Sequence, residues 1–245
     1  VVFGGLMSGV MYSLVALGFV LIFKASGVFN FAQGVFALFA ALTLVGLMTG
    51  TMPFSLDKVL PELPAWLAII ATFIVMVGLA IAVERIVLRP LVNQDHIIMF
   101  MSTIGLAFVL EGLGDTIWGS EVKALDVGIP SGNFMIGEIQ IQIFDLWAAG
   151  IAAFLVIVLA VFFQSTRTGR ALRAVADDHQ AALSVGIPLK NIWIIVWSVA
   201  GLVALVAGIM WGSKSGVQFS LSLIALKALP VLILGGFTSV PGAIV

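Results

Sequence analysis

The chain contains no cysteine, which excludes disulfides, thiolate metal ligands and a cysteine nucleophile. Charge is almost as scarce. Asp, Glu, Lys and Arg make up 9% of the 245 residues, against roughly 25% in an average soluble domain, and 62% of the residues are apolar. Water therefore cannot be the main solvent of the folded chain, which reads as an integral membrane protein. With a net charge of −1 and no basic run interleaved with aromatics, nothing here suits the polyanionic backbone of a nucleic acid. Only two histidines occur, His96 and His179, and both fall between apolar runs, where they read as solvated side chains. With no H-E-x-x-H, no G-x-S-x-G and no cluster of metal ligands, the chain does not read as an enzyme. The phosphate-cradling pattern G-x-x-x-x-G-K-[ST] is missing as well. If ATP drives this protein, a different polypeptide hydrolyses it, and no cofactor is expected on this chain.

What the chain does have is apolar runs of bilayer length, about 20 residues for roughly 30 Å of hydrocarbon. Residues 3–23, 65–83, 146–163 and 191–213 carry no charge; 97–118 is long enough although it holds Glu111 and Asp115. The run 35–49 reaches span length only if part of the preceding segment joins it. Six crossings follow, in an all-α polytopic transmembrane bundle that reads as a single domain over 1–245. After Lys214 the pattern becomes uneven. The run 221–235 is short and interrupted by Lys227 and Pro230, and Gly235-Gly236 and Pro241-Gly242 punctuate a restart, so a further helix is expected beyond Val245. Loops 84–96 and 164–190 hold Arg85, Arg89, Arg167, Arg170, Arg173 and Lys190, whereas loops 50–64, 119–145 and 212–220 hold only Lys58, Lys123 and Lys214. The first set therefore faces the cytoplasm.

Between the first two runs lies 24-KASGVFNFAQGVF-36. Gly27 and Gly34 bracket it and let the chain unwind, while Asn30 and Gln33 can bond freed backbone groups or a polar solute. One reading is an interfacial turn with Lys24 snorkelling to headgroups. The other is a helix broken inside the bilayer, which lipid permits only where protein or water surrounds the break. A faint internal repeat favours the second: ALGFVLIFKASGVFNFAQGVFAL from Ala16 and ALKALPVLILGGFTSVPGAIV from Ala225 share an apolar run, a glycine-containing interruption around a Phe, and an apolar restart. Paired broken segments point to a transporter's central site.

Two further features stand out. The segment 164–191 is far longer than a connection needs, and Arg170, Arg173 and Asp177 share one side of a helix. It is expected to form a cytoplasmic helix along the membrane, either anchored to headgroups or docking a soluble partner, with Asp177 and Asp178 as acidic contacts and Gly186-Ile187-Pro188 turning the chain into the next span. Glu111 and Asp115 lie on one helix face. Asp115 is close enough to the outer end to be interfacial, whereas Glu111 is a turn deeper and must face the bundle interior or a cavity, on a solute pathway or in a structural pair.

Taken together, GGLMSGVMYSLVALGFVLIFKASGVFNFAQG at 4–34, ERIVLRPL at 84–91, STIGLAFVLEGL at 102–113, TRTGRALRAVADDHQAALSVGI at 166–187 and KALPVLILGGFTSVPGAIV at 227–245 resemble permease subunits of the branched-chain amino acid class of bacterial ABC transporters. That class also serves amides, urea and related small solutes. Asn30-Phe31-Ala32 with Gly34 is the most specific piece. The resemblance implies a multi-pass protein of the bacterial inner membrane that pairs with a homologous permease. It also implies an extracytoplasmic solute-binding protein that delivers cargo and two ATP-binding subunits that drive transport. It carries a broken pore-lining helix onto 27–34, with Asn30, Phe31, Gln33, Gly34 and Glu111 as solute-pathway candidates. ATPase docking falls on 167–187, with Arg170, Arg173, Asp177, Asp178 and Gly186. Ala181, Ala182 and Gly186 match the general ABC-permease coupling motif, but Gln180 stands where that motif has an acid. The rival from another class is an ion-coupled secondary transporter or channel using Glu111, Asp115 and the broken helices without partners.

Overall fold

Apolar runs in lipid leave the backbone no hydrogen-bonding partner but itself, so they become helices. The computed structural model describes residues 2–51, 61–91, 94–130, 132–136, 139–177, 182, 184, 186, 189–237 and 242. Its helices are α1 (Val2–Ser26), α2 (Gln33–Thr49), α3 (Ala65–Val83), α4 (His96–Trp118), α5 (Ile143–Ser165), α6 (Arg167–Asp177), α7 (Leu189–Ser215) and α8 (Ile224–Gly235), the last entered through a 3-10 turn at Phe219–Leu223. A short antiparallel hairpin, β1 (Asn133–Ile136) with β2 (Ile139–Gln142), precedes α5.

Five helices are long and apolar enough to cross a membrane. The sixth expected crossing, 35–49, is α2, whose 17 residues begin inside the protein rather than at its edge. Burial sorts the helices into an inner and an outer set. In α1 and α7, 67% of the spanning window is buried, against 28% in α3 and α4 and 22% in α5. Val109, Phe154 and Ile74 point outward from those outer helices, which suits lipid and would be untenable in water. α1 and α7 run antiparallel at the centre. At their outer end the Trp211 indole N–H donates to Met11 O at 3.4 Å and stacks near Tyr12 at 4.9 Å. Beside them Lys214 at the end of α7 pairs with Asp145 in the first turn of α5, 2.8 Å apart.

The basic segment 84–96 is helical for most of its length, where the reading of the sequence treated it as a loop. α3 continues through a π turn at Glu84–Leu88 and a 3-10 turn at Arg89–Leu91. Nothing in ERIVLR breaks a helix before Pro90, so the span extends to where proline removes an N–H donor. The turn buries Glu84, leaving its Oε2 without a hydrogen bond.

Small residues set the inner contacts. Gly208 of α7 lies so close to α2 that a Cβ would collide with the Ala37 carbonyl, while a Cβ on Gly105, on the outer face of α4, would meet nothing. Gly208→Val should therefore push α2 off α7 and cost about 1–3 kcal/mol. Gly105→Ala should be neutral or stabilise by up to about 1 kcal/mol, because only the helix preference of alanine is felt. Thermal unfolding of the detergent-purified variants checks both, and equal effects would contradict the assignment of inner and outer faces.

Candidate functional site

α1 stops at Ser26 because Gly27 takes a left-handed conformation (φ 68°) while its N–H still bonds Phe23 O. Residues 28–30 have no regular structure and 31–32 turn into α2. This irregular piece doubles back along α1. The Phe29 ring stacks on Phe19 at 4.7 Å, and the Gln33 amide lies against Gly18, where no Cβ would fit. Gly18 is eight residues before Ser26, so α2 begins about 12 Å inside the end of α1. The segment is therefore a break within the bundle, not a headgroup-level turn.

A break at that depth exposes backbone groups, and named side chains answer them. Asn30 Oδ1 accepts the Ala32 N–H at 3.1 Å, and its amide nitrogen donates to Gln33 Oε1 at 3.3 Å. Gln33 Nε2 donates onward to Ala200 O of α7 at 3.3 Å. From α4, the Thr103 hydroxyl accepts the Phe31 N–H at 3.0 Å and shares its own proton between the carbonyls of Phe29 (3.2 Å) and Phe100 (2.8 Å). Asn30, Gln33 and Thr103 are all fully buried. Asn30 and Gln33 thus use their polar groups on backbone and on each other, and stand behind the cavity rather than on its wall.

That cavity, about 170 Å³, lies where the break, α4 and the entry to α8 meet; Phe31, Phe108, Glu111, Ser222 and Leu226 are among its walls. Glu111 Oε1 accepts a hydrogen bond from Ser222 Oγ at 3.3 Å. Gly34 closes the rear, since a Cβ there would strike Ser222 O and Ala225. Of the residues singled out in the sequence, the structure gathers Phe31, Gly34 and Glu111 around one space, and leaves Asp115 exposed a turn further out. Sequence reasoning missed Thr103 and Ser222. Each is a single hydroxyl residue, and the only signal was a polar side chain in or beside an apolar run. A larger groove of about 730 Å³ along α5, walled by Leu146, Trp147, Ile151 and Phe154, has no charged lining residue and lies on the outer helix set.

The second interruption meets the first. α8 ends at Gly235, Gly236 takes φ 90°, and the Phe237 ring packs on Phe23 at 5.1 Å and on Phe29 at 6.3 Å. The remainder of the expected Gly235–Pro241 break, 238–241, lies outside the described residues. On the opposite side of α1, Thr166 opens α6 by accepting the Gly169 N–H at 3.0 Å. Leu172 and Val175 are buried, and Arg170 and Arg173 are exposed. Asp177 ends the helix, Gly186 sits exposed at φ 83°, and Asp178, His179 and Gln180 fall outside the described residues. His96 is exposed with its ring over Gly27.

A helical membrane bundle with an inner helix interrupted and clasped at depth, and an amphipathic helix on the basic side, is the architecture of a solute permease. Over residues 1–245 the chain matches the family described as the branched-chain amino acid transport system permease component, and it belongs to that family. Relatives include the high-affinity branched-chain amino acid permease protein BraD of Pseudomonas aeruginosa, 31% identical over 98% of this chain and 79% of the relative. LivH of Escherichia coli K12 is 29% identical over 99% and 80%, and a probable LivH of Methanocaldococcus jannaschii 27% over 99% and 75%. No solved structure matches. The chain is a multi-pass transport subunit and its relatives are permeases, not enzymes.

The clasp generates a prediction. Asn30→Leu and Thr103→Val should each leave buried backbone groups unpaired, at about 1–3 kcal/mol per group. The double variant should cost less than the sum, because both hold the same six residues. Unfolding midpoints in detergent together with uptake assays check this; transport should fall further than expression does.

Proposed function

We propose that the chain forms half of the translocation pathway of an ABC importer in the bacterial inner membrane, carrying a small solute of the branched-chain amino acid, amide or urea type. Its partners on this reading are a homologous permease, two ATP-binding subunits and an extracytoplasmic solute-binding protein, with ATP bound on the partners and no cofactor here. The observation that carries the reading is the cavity at the break. Glu111, a carboxylate within a membrane helix, borders that space together with Phe31 of the interrupted segment, as intramembrane charges on transport routes do. The amphipathic α6 supports docking: its apolar side is buried against α1 and α5, and its two arginines are exposed, Arg170 donating back to Ser165 O at 3.3 Å.

Reconstituting the chain with those partners tests the reading directly, since uptake should require ATP and the binding protein. Uptake by the chain alone under an ion gradient would instead support the secondary-transporter alternative. Arg170→Glu with Arg173→Glu should leave the subunit inserted yet release the ATPase and abolish coupled uptake, because reversing exposed charges disturbs an interface far more than a fold. Survival of both association and uptake would remove α6 from the docking surface. Glu111→Gln keeps volume and hydrogen bonding to Ser222 but deletes a charge. It should fold normally and change uptake or its pH dependence, and wild-type uptake across the pH range would make Glu111 purely structural.

A further inference from the structure

Among the described residues four buried side-chain atoms have no hydrogen-bond partner: Glu84 Oε2, Trp193 Nε1, Trp197 Nε1 and Ser213 Oγ. Glu84, Trp193 and Trp197 are 1%, 4% and 1% exposed, so bulk water does not reach them. A polar atom kept from water carries a cost that only a hydrogen bond removes. Ser213 stands apart, near the outer end of α7. The other three belong to one contact, between α7 and the extension of α3.

The direction of these two helices follows from their neighbour. α2 and α7 run parallel, with Ala37 against Gly208 and Ala41 against Gly212, and α3 begins beside the end of α2, where the Leu63 N–H bonds Leu47 O. α3 is therefore antiparallel to α7. Their register is set where a Cβ on Gly201 would lie 3.5 Å from Met76 Cβ. Glu84 follows Met76 by eight residues and Trp193 precedes Gly201 by eight, so both stand about 12 Å further toward the inner end. Steps of four residues keep them on the stripe that carries the contact, with Trp197 midway along it. The π turn that holds Glu84 packs on α7, and turns of that kind frequently mark functional positions.

Glu84 and the indoles thus share a level and an interface, yet no hydrogen bond joins them. An indole N–H can only donate and a carboxylate oxygen accepts, so whatever bridges them must accept at one end and donate at the other. A metal cation cannot accept an N–H, and a small anion would be repelled by the carboxylate. Water does both, and polar groups separated by more than about 3.5 Å are its ordinary setting. We propose that Glu84 and Trp193 hold a buried water between α3 and α7, its oxygen accepting the Trp193 N–H and one of its protons going to Glu84 Oε2. The Trp197 N–H donates to a second water, one turn deeper, which donates in turn to the first. The bridge ties α3 to α7 four residues into α7, where the chain arrives from 164–190. It asks nothing of the solute or the energy source, and so stands independently of the pathway reading.

X-ray hydroxyl-radical footprinting of the full chain in lipid nanodiscs tests this, because the radicals form from water in place and a side chain shielded from bulk is oxidised only where it touches a held water. In the unaltered protein, which needs no variant to fold, Trp193 should be oxidised well above Phe19, a ring at least as buried that has no polar atom, once each is scaled by its intrinsic reactivity. Oxygen-18 from labelled solvent should enter the Trp193 product more slowly than that of exposed Trp66, as a slowly exchanging water requires. Glu84→Leu, similar in volume but without an acceptor, should lose the Trp193 signal down to the level of Phe19. Glu84→Gln keeps a carbonyl oxygen and should retain it. A Trp193 no more reactive than Phe19 in the unaltered protein overturns the proposal, as does a Trp193 signal that Glu84→Leu leaves unchanged.

Discussion

Six residues of non-helical chain inside a membrane protein impose the constraint on which the rest of this structure depends. Lipid can satisfy none of the N–H and C=O groups that residues 27–32 release, so side chains must reach them. α4 supplies Thr103 and the break itself supplies Asn30, while Gln33 ties Asn30 to the Ala200 carbonyl of α7. This requirement fixes which helices are central. α1, α2 and α7 must stay in contact at one depth, and the glycines at 18 and 208 are positions where that contact leaves no room for a Cβ. The outer helices face no comparable demand, and their glycines at 78, 105 and 112 meet nothing.

The same constraint divides polar residues by task. Asn30 and Gln33 lie within three residues of Phe31 in sequence, yet they are consumed by the clasp, while Phe31 borders the cavity. Glu111 is joined to the opposite wall through Ser222, so the space is closed by one hydrogen bond between α4 and the entry to α8. A cavity held this way can change width without unfolding the clasp behind it, because the two use different side chains on α4: Thr103 for one, Glu111 for the other.

Much of this was legible in the sequence, for physical reasons. Uncharged runs could only be helices, and the glycine-bracketed Asn30 and Gln33 had to be either an interfacial turn or a buried break. The repeat with Ala225 onward favoured the break but could not give its depth, because depth depends on Phe29 lying back on Phe19, a contact between the break and α1 that periodicity does not encode. The extension of α3 past Val83 was misread as loop since Arg85 and Arg89 looked like loop charges, although nothing before Pro90 stops the helix. Thr103 and Ser222 were invisible for a different reason. A single hydroxyl in an apolar run most often bonds its own helix, as Thr72 does with Ala68 O, and only the arrival of the break beside it gives Thr103 another role.

The position of α6 connects these parts mechanically. Its buried face, with Leu172 and Val175, packs against α5 and α1, the helix that leads into the break. α1 is an unbroken helix from Val2 to Ser26 and therefore moves as a rod, whereas residues 28–31 after it are outside any helix. A force applied to the exposed arginines of α6 would, on the proposed reading, pass to α1 and be absorbed where Phe29, Phe23 and Phe237 meet, since ring contacts slide at lower cost than buried hydrogen bonds break. On the proposed reading this aromatic junction, and not the clasp, is where the work of the partner ATPases would widen or close the cavity at Glu111.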